Sequence, residues 1–102
     1  MKTIITAKGK TLTVKPFGEM DQSCSEQLRY EIDSTIDSYP ELTLIVFDLS
    51  QVSFMDSSGI GVILGRYKRI SARGGCVVIK NESRSVSRVL RISGVYSVCR
   101  HC

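Results

Sequence analysis

The sequence predicts a small single-domain α/β fold, with a mostly parallel sheet that begins with a β-hairpin and has helices packed on it. Three observations lead to this prediction. The chain has 102 residues, which is enough for one hydrophobic core but not for two. Apolar residues make up 42% of it and charged residues 24%, as in a folded domain. Strand-like and helix-like patterns then follow one another in the order ββαβαβα(β), the last strand being short.

Strands are expected where apolar and polar residues alternate, or where short apolar runs occur. Residues 3–7 and 11–17 alternate in this way, and Gly9-Lys10 between them predicts a tight hairpin turn. Residues 42–49 form a nearly continuous apolar run, which predicts a strand covered on both faces. Further strands are expected at residues 76–79 and 95–99.

Three helices are expected between the strands. Residues 23–26 match a capping box, so the first helix should begin at Ser23, and Pro40 should end it. The second runs from about residue 57 to residue 73, and the third from near Ser83 to Gly94. The residues expected on the buried stripes are Leu28, Ile32, Ile36, Tyr39, Ile60, Ile63, Leu64, Tyr67, Ile70, Val86, Val89 and Leu90.

The net charge of +4 is unevenly divided along the chain. Residues 1–56 contain five Lys and Arg against nine acidic residues, whereas residues 57–102 contain nine against one. Such an asymmetry indicates a partner with an acidic surface, or nucleic acid bound through Arg84, Arg88, Arg91 and Arg100. Solvated helix faces are the alternative explanation. Because the helix with these arginines lacks interleaved exposed aromatic residues, we expect no direct DNA binding.

The N-terminal residues and the cysteines bear on the compartment and on cofactors. The chain begins with no apolar run long enough for a signal peptide and contains none long enough to span a membrane, so we expect a cytoplasmic protein with reduced thiols. Cys99 and Cys102 have C-x-x-C spacing around His101, but no fourth ligand for a zinc ion is near. We therefore expect no metal site and no cofactor.

The junction before the second helix is the most informative segment. Asp56 is placed as the N-cap, Ser57 as the first helical residue, and Ser58 and Gly59 follow. A hydrolase with Ser57 as nucleophile would need a general base, and the chain's single histidine is His101 in the tail. A dinucleotide site is not favoured either, because the glycines here follow G-x-G-x-x-x-G spacing.

The same segment is suited to a modification. Two adjacent hydroxyls and a glycine leave the helix N-terminus open to another protein, although a purely structural role as cap and close-packing glycine is the simpler explanation. A negative charge near a helix N-terminus is stabilised by about 0.3–1 kcal/mol, so Ser57 is suited to phosphorylation.

Residues 53–68, SFMDSSGIGVILGRYK, resemble the signature of the anti-sigma factor antagonists, the bacterial STAS-domain proteins. Residues 18–21, GEMD, resemble that family's G-E-L-D turn before the first helix, with Met20 as a volume-conserving replacement of leucine. Residues 83–94 resemble the family's third helix. The resemblance covers nearly the whole chain and implies one STAS domain over residues 1–102.

The resemblance implies a switch protein without catalytic activity of its own. Its relatives bind an anti-sigma factor that is also an ATP-dependent serine kinase, and thereby release a sigma factor, here sigma F of sporulation. The kinase ends binding by phosphorylating the position of Ser57, and a serine phosphatase restores it. The partner-binding residues implied in this way are Asp21, Asp56, Ser57, Ser58, Gly59, Ile60 and Gly94.

One departure and two alternatives accompany the resemblance. Relatives usually continue past the position of Cys102 into a final helix, so we expect a less covered sheet or an altered partner surface. A STAS scaffold of another stress or signalling complex is an alternative function, and a basic nucleic-acid-binding module is another.

Overall fold

The computed structural model describes residues 1–101, which form an α/β domain. The strands are β1 (Lys2–Lys8), β2 (Thr11–Met20), β3 (Leu44–Asp48), β4 (Val52–Met55), β5 (Cys76–Lys80) and β6 (Arg100–His101). The helices are α1 (Gln22–Ser38), α2 (Ser57–Ser71) and α3 (Arg84–Ile92), and a 3₁₀ turn spans Val95–Ser97. In this part of the chain no helix is both long enough and apolar enough to cross a membrane.

The sheet confirms the predicted fold class. Its strands lie in the order β1-β2-β3-β5-β6, and β4 pairs with β2 beside that path. β1 and β2 form an antiparallel hairpin with Lys8 opposite Thr11, and every other pairing is parallel. The two-residue turn begins at Gly9, whose φ of 62° is a conformation that favours glycine. The result is the mostly parallel sheet with an N-terminal hairpin.

β2 is long enough to pair with two strands in succession. Its residues 11–14 pair with β3, and its residues 18–20 pair with β4. β4 was not predicted from the sequence. It has only four residues, and its burial does not alternate, because Val52 and Met55 are buried while the two residues between them are exposed. This short strand nevertheless fixes where the following helix starts.

The core is built on one face of the sheet. The side chains of Leu12, Ile45 and Phe47 are fully buried there. The prediction that the third strand would be covered on both faces is wrong, because burial alternates along β3. Leu44 and Val46 point to the other face and remain half-buried, since that face has only partial cover among the described residues.

α1 and α2 are joined by ion pairs that the helical patterns do not reveal. Arg66 on α2 is only 8% exposed, and its Nε lies 3.0 Å from Oδ1 of Asp33 on α1. Nη1 of Arg69 lies 3.0 Å from the same oxygen, and Nη2 of Arg69 contacts Asp37. Burial lowers the pKa of Arg66, an effect that Asp33 opposes. Because a buried charge is costly without its partner, these contacts hold the two helices in one arrangement.

The carboxyl end of α1 is closed by a side chain from the segment after α2. Nη1 of Arg73 donates to the carbonyl oxygens of Tyr39 at 3.1 Å and Leu42 at 3.2 Å, and Nη2 donates to that of Ile36 at 3.0 Å. The last carbonyl oxygens of a helix have no backbone N–H of a following turn to bond with, so they need donors from elsewhere. Arg73 therefore caps α1 from outside.

Several predicted boundaries are wrong for local reasons. α1 begins at Gln22, because Asp21 and not Ser23 is its N-cap. Residues 95–99 form no strand, because Gly94, with φ of 82°, turns the chain into the 3₁₀ turn and pairing with β5 begins only at Arg100. Five stripe residues differ as well: Tyr39 is exposed, and Ile60, Leu64, Tyr67 and Val89 are half-buried.

Candidate functional site

The carboxyl ends of β2 and β4 lie side by side. Met20 and Met55, the last residues of the two strands, are opposite each other in parallel register. Each is followed by an aspartate that starts a helix, Asp21 before α1 and Asp56 before α2. The backbone N–H of Asp56 donates to the carbonyl of Met20 at 3.3 Å. Two helix N-termini therefore meet at one edge of the sheet, called here the capping edge and formed by Asp21, Asp56, Ser57 and Ser58.

Asp56 caps α2 as predicted. Its carboxylate Oδ1 accepts the backbone N–H of Ser58 at 2.8 Å, and its carbonyl accepts that of Ile60 at 3.1 Å. Ser57 is exposed, whereas Ser58 is half-buried. The Ser57 hydroxyl makes no hydrogen bond within the described residues. Of the two serines, Ser57 therefore presents the more exposed side chain.

Gly59 lies beneath this edge and not on it. The residue is buried, and a β-carbon placed on it would be 2.7 Å from the carbonyl oxygen of Met20 and 2.8 Å from Cγ of Met55. A glycine is therefore required for α2 to approach the ends of β2 and β4 this closely. Ile60, the next residue, is half-buried against the core. Gly59 contributes to the capping edge by placing its neighbours, since it has little surface of its own.

Asp21 provides the second carboxylate of the edge. Its Oδ1 accepts the Ser23 hydroxyl at 2.6 Å and the Ser23 backbone N–H at 3.0 Å. The hydroxyl bond is the main reason that the pKa of Asp21 lies below its usual value. This carboxylate is consequently ionised at neutral pH and adds to the negative charge of Asp56 along the edge.

Gly94 has a structural reason for being glycine. Its φ of 82° lies in the left-handed region, and it separates α3 from the 3₁₀ turn. α3 contacts β4, the strand that leads to Asp56, but no described hydrogen bond joins Gly94 to the capping edge.

Phe54 is a surface residue of this region that the sequence analysis did not single out. Its side chain is 48% exposed, and it lies opposite Glu19 in the pairing of β4 with β2. An aromatic side chain of this exposure, two residues before Asp56, gives the neighbourhood of the edge an apolar contact point. Regular strand alternation would place Phe54 on the same face as the buried Val52. A bulge in the pairing with β2, between Gly18 and Glu19, shifts the register, and Phe54 is exposed instead.

The cysteines do not form a second site in the described residues. Cys99 is buried, and burial raises its pKa to about 11. Cys102, the other half of the C-x-x-C pair, lies outside the described residues, as does the histidine side chain between them. No group of three or more His, Cys, Asp or Glu able to hold a metal occurs among residues 1–100.

The sequence and the fold of the chain are both similar to those of known proteins. The sequence model of one family, the STAS domain, matches residues 2–101. The chain belongs to the STAS domain family. This confirms the resemblance and its extent, which the sequence analysis placed over nearly the whole chain.

Curated relatives of this STAS domain are named as regulators and not as enzymes. The chain is 39% identical to an anti-sigma F factor antagonist of Paenibacillus polymyxa over 85% of its own length and 74% of that protein. It is 36% identical to an anti-sigma F factor antagonist of Lysinibacillus sphaericus, over 84% of the chain and 73% of that protein. The chain therefore belongs to the anti-sigma factor antagonists.

Solved structures agree with the sequence relatives. The STAS domain is similar to the anti-sigma factor antagonist SpoIIAA in its unphosphorylated form, with a TM-score of 0.79 and 27% identity over 99% of this chain and 87% of that one. It is also similar to the Bacillus cell fate determinant SpoIIAA in the phosphorylated form, with a TM-score of 0.77 and 29% identity over 99% and 91%. One fold therefore corresponds to both forms of that protein.

Proposed function

We propose that the chain is an anti-sigma factor antagonist whose binding to an anti-sigma factor is controlled by phosphorylation of Ser57. The observation that carries the proposal is the exposed Ser57 hydroxyl at the start of α2, which makes no hydrogen bond within the described residues and directly follows the N-cap Asp56. The names of the relatives supply the partner, and the greater identity to sigma F antagonists than to sigma B antagonists favours sigma F.

The unmodified edge is suited to binding a protein. Ser57 and Ser58 are neutral, and Phe54 adds an apolar contact beside them. Asp21, Asp56, Ile60 and Gly94 complete the surface that we assign to the partner, and Gly59 sets the position of the serines. Burying the two hydroxyls against a complementary surface costs little when the partner replaces their hydrogen bonds to water, and burying the aromatic ring is favourable.

Phosphorylation reverses this balance through charge. A phosphate on Ser57 adds about −1.5 to −2 charges at neutral pH, beside the carboxylates of Asp21 and Asp56. An unpaired charge buried in an interface costs about 3–5 kcal/mol, and each 1.4 kcal/mol is a tenfold loss of affinity. The α2 N-terminus stabilises the phosphate, so the domain itself need not unfold. The similarity of the fold to both forms of SpoIIAA supports a switch without refolding.

Two enzymes are implied by this proposal. The phosphate donor is ATP, and the anti-sigma factor itself is the serine kinase: the Ser57 oxygen attacks the γ-phosphorus, the bond to the β-phosphate oxygen breaks, and ADP leaves. A serine phosphatase transfers that phosphoryl group to water and restores the binding form. The chain contributes the acceptor oxygen and its presentation at the helix start, and we assign it to the cytoplasm with these partners.

The deciding experiment is incubation of the purified chain with its anti-sigma factor and ATP, followed by mass spectrometry of its peptides. We expect one phosphate, located on Ser57, with loss of the complex as the phosphate is added. Ser57→Ala should remain bound and unmodified, and Ser58→Ala is the matched control that should still be phosphorylated. Full phosphorylation of Ser57→Ala would show that the acceptor is wrongly assigned. Failure of the unmodified chain to bind any anti-sigma factor would refute the function itself.

A further inference from the structure

The outer face of α3 carries a row of positive charge that the capping edge does not use. Arg84, Arg88 and Arg91 follow one another at spacings of four and three residues, so they lie on one side of the helix. All three are exposed. Within residues 1–101, no carboxylate pairs with any of these guanidinium groups. A row of unpaired arginines of this kind is available to an external anion.

The arginines line an open groove of about 540 Å³. Glu82, the only carboxylate among the described residues that line the groove, is engaged by the hydroxyl of Tyr96, which also lies 3.0 Å from Oγ of Ser87. Burial, together with Glu82, raises the pKa of Tyr96, so this phenol stays protonated and keeps the carboxylate directed toward it. The residues that line the groove are Glu82, Ser83, Arg84, Ser87, Arg88 and Arg91.

The row ends in an apolar residue. Ile92 is 80% exposed, the highest exposure among the large hydrophobic side chains of the described residues. It follows Arg88 by one helical turn, so it lies on the same side of α3 as the arginines. Its side chain contributes almost nothing to the core. The outer face of α3 thus combines three guanidinium groups with one apolar anchor over about 12 Å of helix.

We propose that this outer face of α3, formed by Arg84, Arg88, Arg91 and Ile92, docks an acidic amphipathic helix of a protein partner. Carboxylates spaced like the arginines, at positions i, i+4 and i+7 of the partner helix, meet the guanidinium groups in paired hydrogen bonds. An apolar side chain one residue further covers Ile92. The face favours a protein over nucleic acid for two reasons. The described residues that line the groove include a carboxylate and no aromatic ring on which bases could stack. The exposed aliphatic side chain of Ile92 lies on the same side of the helix.

The proposal does not depend on phosphorylation, since the face shares no residue with the capping edge. It is tested with a fluorescent synthetic peptide of about 18 residues, long enough to be partly helical, that carries Glu at i, i+4 and i+7 and Leu at i+8. Binding is measured by anisotropy to the wild type, to Arg84→Glu/Arg88→Glu and to Lys8→Glu/Lys10→Glu. The second double variant has the same net charge as the first, with both changes at exposed positions of the β1–β2 hairpin. Circular dichroism checks that both remain folded.

We expect the arginine variant to bind the peptide at least about tenfold more weakly, and the lysine variant within about twofold of the wild type. Ile92→Ser should weaken binding severalfold without altering its dependence on salt, and Ser57→Ala should bind like the wild type. An equal loss in the two double variants would overturn the proposal, because net charge alone would then explain binding. Absence of peptide binding to the wild type would also overturn it, as would tighter, arginine-dependent binding of a mixed-sequence DNA duplex.

Discussion

The carbonyl oxygen of Met20 occupies the space that a side chain on Gly59 would need. A β-carbon on Gly59 would lie 2.7 Å from that oxygen and 2.9 Å from Cβ of Met20. The same carbonyl accepts the backbone N–H of Asp56. The end of β2 therefore fixes both the cap and the first turn of α2, and the position of Ser57 depends on a contact between residues far apart in the sequence.

The first prediction compares two glycines of α2. Gly59→Ala should lower the free energy of unfolding by about 1–3 kcal/mol, because the clash is with a backbone atom that cannot rotate away. Gly61→Ala should raise it by about 0.5–1 kcal/mol, because that glycine has open space around it and alanine is the better helix former. Urea denaturation of both variants measures the difference. Equal effects would contradict the close contact described for Gly59.

The second prediction concerns Phe54 as an apolar contact for the partner. Phe54→Ser should weaken binding to the anti-sigma factor by about tenfold or more, because truncation of a central aromatic anchor costs about 1–2 kcal/mol or more. Tyr30→Ser is the matched control. Tyr30 is 72% exposed and lies about 12 Å along α1 from the first residue of that helix. Isothermal titration calorimetry gives both affinities. If the two variants bind alike, Phe54 is not part of the interface.

The third prediction separates charge from capping at Asp56. Asn caps a helix about as well as Asp, so Asp56→Asn should leave the free energy of unfolding nearly unchanged, whereas Asp56→Ala should lower it by about 0.5–2 kcal/mol. In the phosphorylated protein, Asp56→Asn removes a negative charge beside the phosphate on Ser57. The ratio of phosphorylated to unphosphorylated dissociation constants should therefore be smaller in Asp56→Asn than in the wild type. An unchanged ratio would argue against a contribution of Asp56 to the cost of burying the phosphate in the interface.

The fourth prediction is a pH dependence caused by Asp21. The Ser23 hydroxyl lowers the pKa of this carboxyl below its ordinary value of 3.8 in the folded state. Its stabilising contribution is therefore fully present above that value and is lost as the pH falls through the lower, folded pKa. The wild type should be more stable than Asp21→Asn at neutral pH, and the difference should shrink progressively as the pH falls below 3.8. Urea denaturation across this range tests the prediction, which a pH-independent difference would contradict.

The fifth prediction concerns the reactivity of the thiols. With a pKa of about 11, Cys99 should be a thiolate in only about one molecule in a thousand at pH 8, and it is also buried. A maleimide should therefore label the half-buried Cys76 well before Cys99 in the native protein. Peptide mapping after a short exposure gives the order. Rapid labelling of native Cys99 would show that the end of the chain opens readily.

The fold class followed from the sequence because hydrophobic periods are local. The hairpin around Gly9 and the cap at Asp56 were both predicted from neighbouring residues and are confirmed. Asp21 was missed as the N-cap of α1 because Ser23 and Glu26 match the capping-box pattern. Only the pairing of β2 with β4 decides where the chain leaves the sheet.

Features that depend on distant partners could not be predicted in this way. Arg66 looks like a solvent-exposed helical residue until Asp33, on another helix, is placed beside it. β4 is too short for a period to be recognised, so the exposed position of Phe54 was also missed. The capping edge was thus predicted in its residues, while its geometry required the tertiary structure.

The pairing of Arg66 with Asp33, and the cap that Arg73 provides for α1, have a consequence for motion. They join the carboxyl halves of α1 and α2 at the end of α2 remote from Ser57, so we expect these two segments to open together and not singly. In amide hydrogen exchange, these segments should exchange together and slowly, while the first turn of α2 exchanges through local fraying. A phosphate gained or lost at that turn then changes what the surface attracts and leaves the slow-exchanging unit undisturbed.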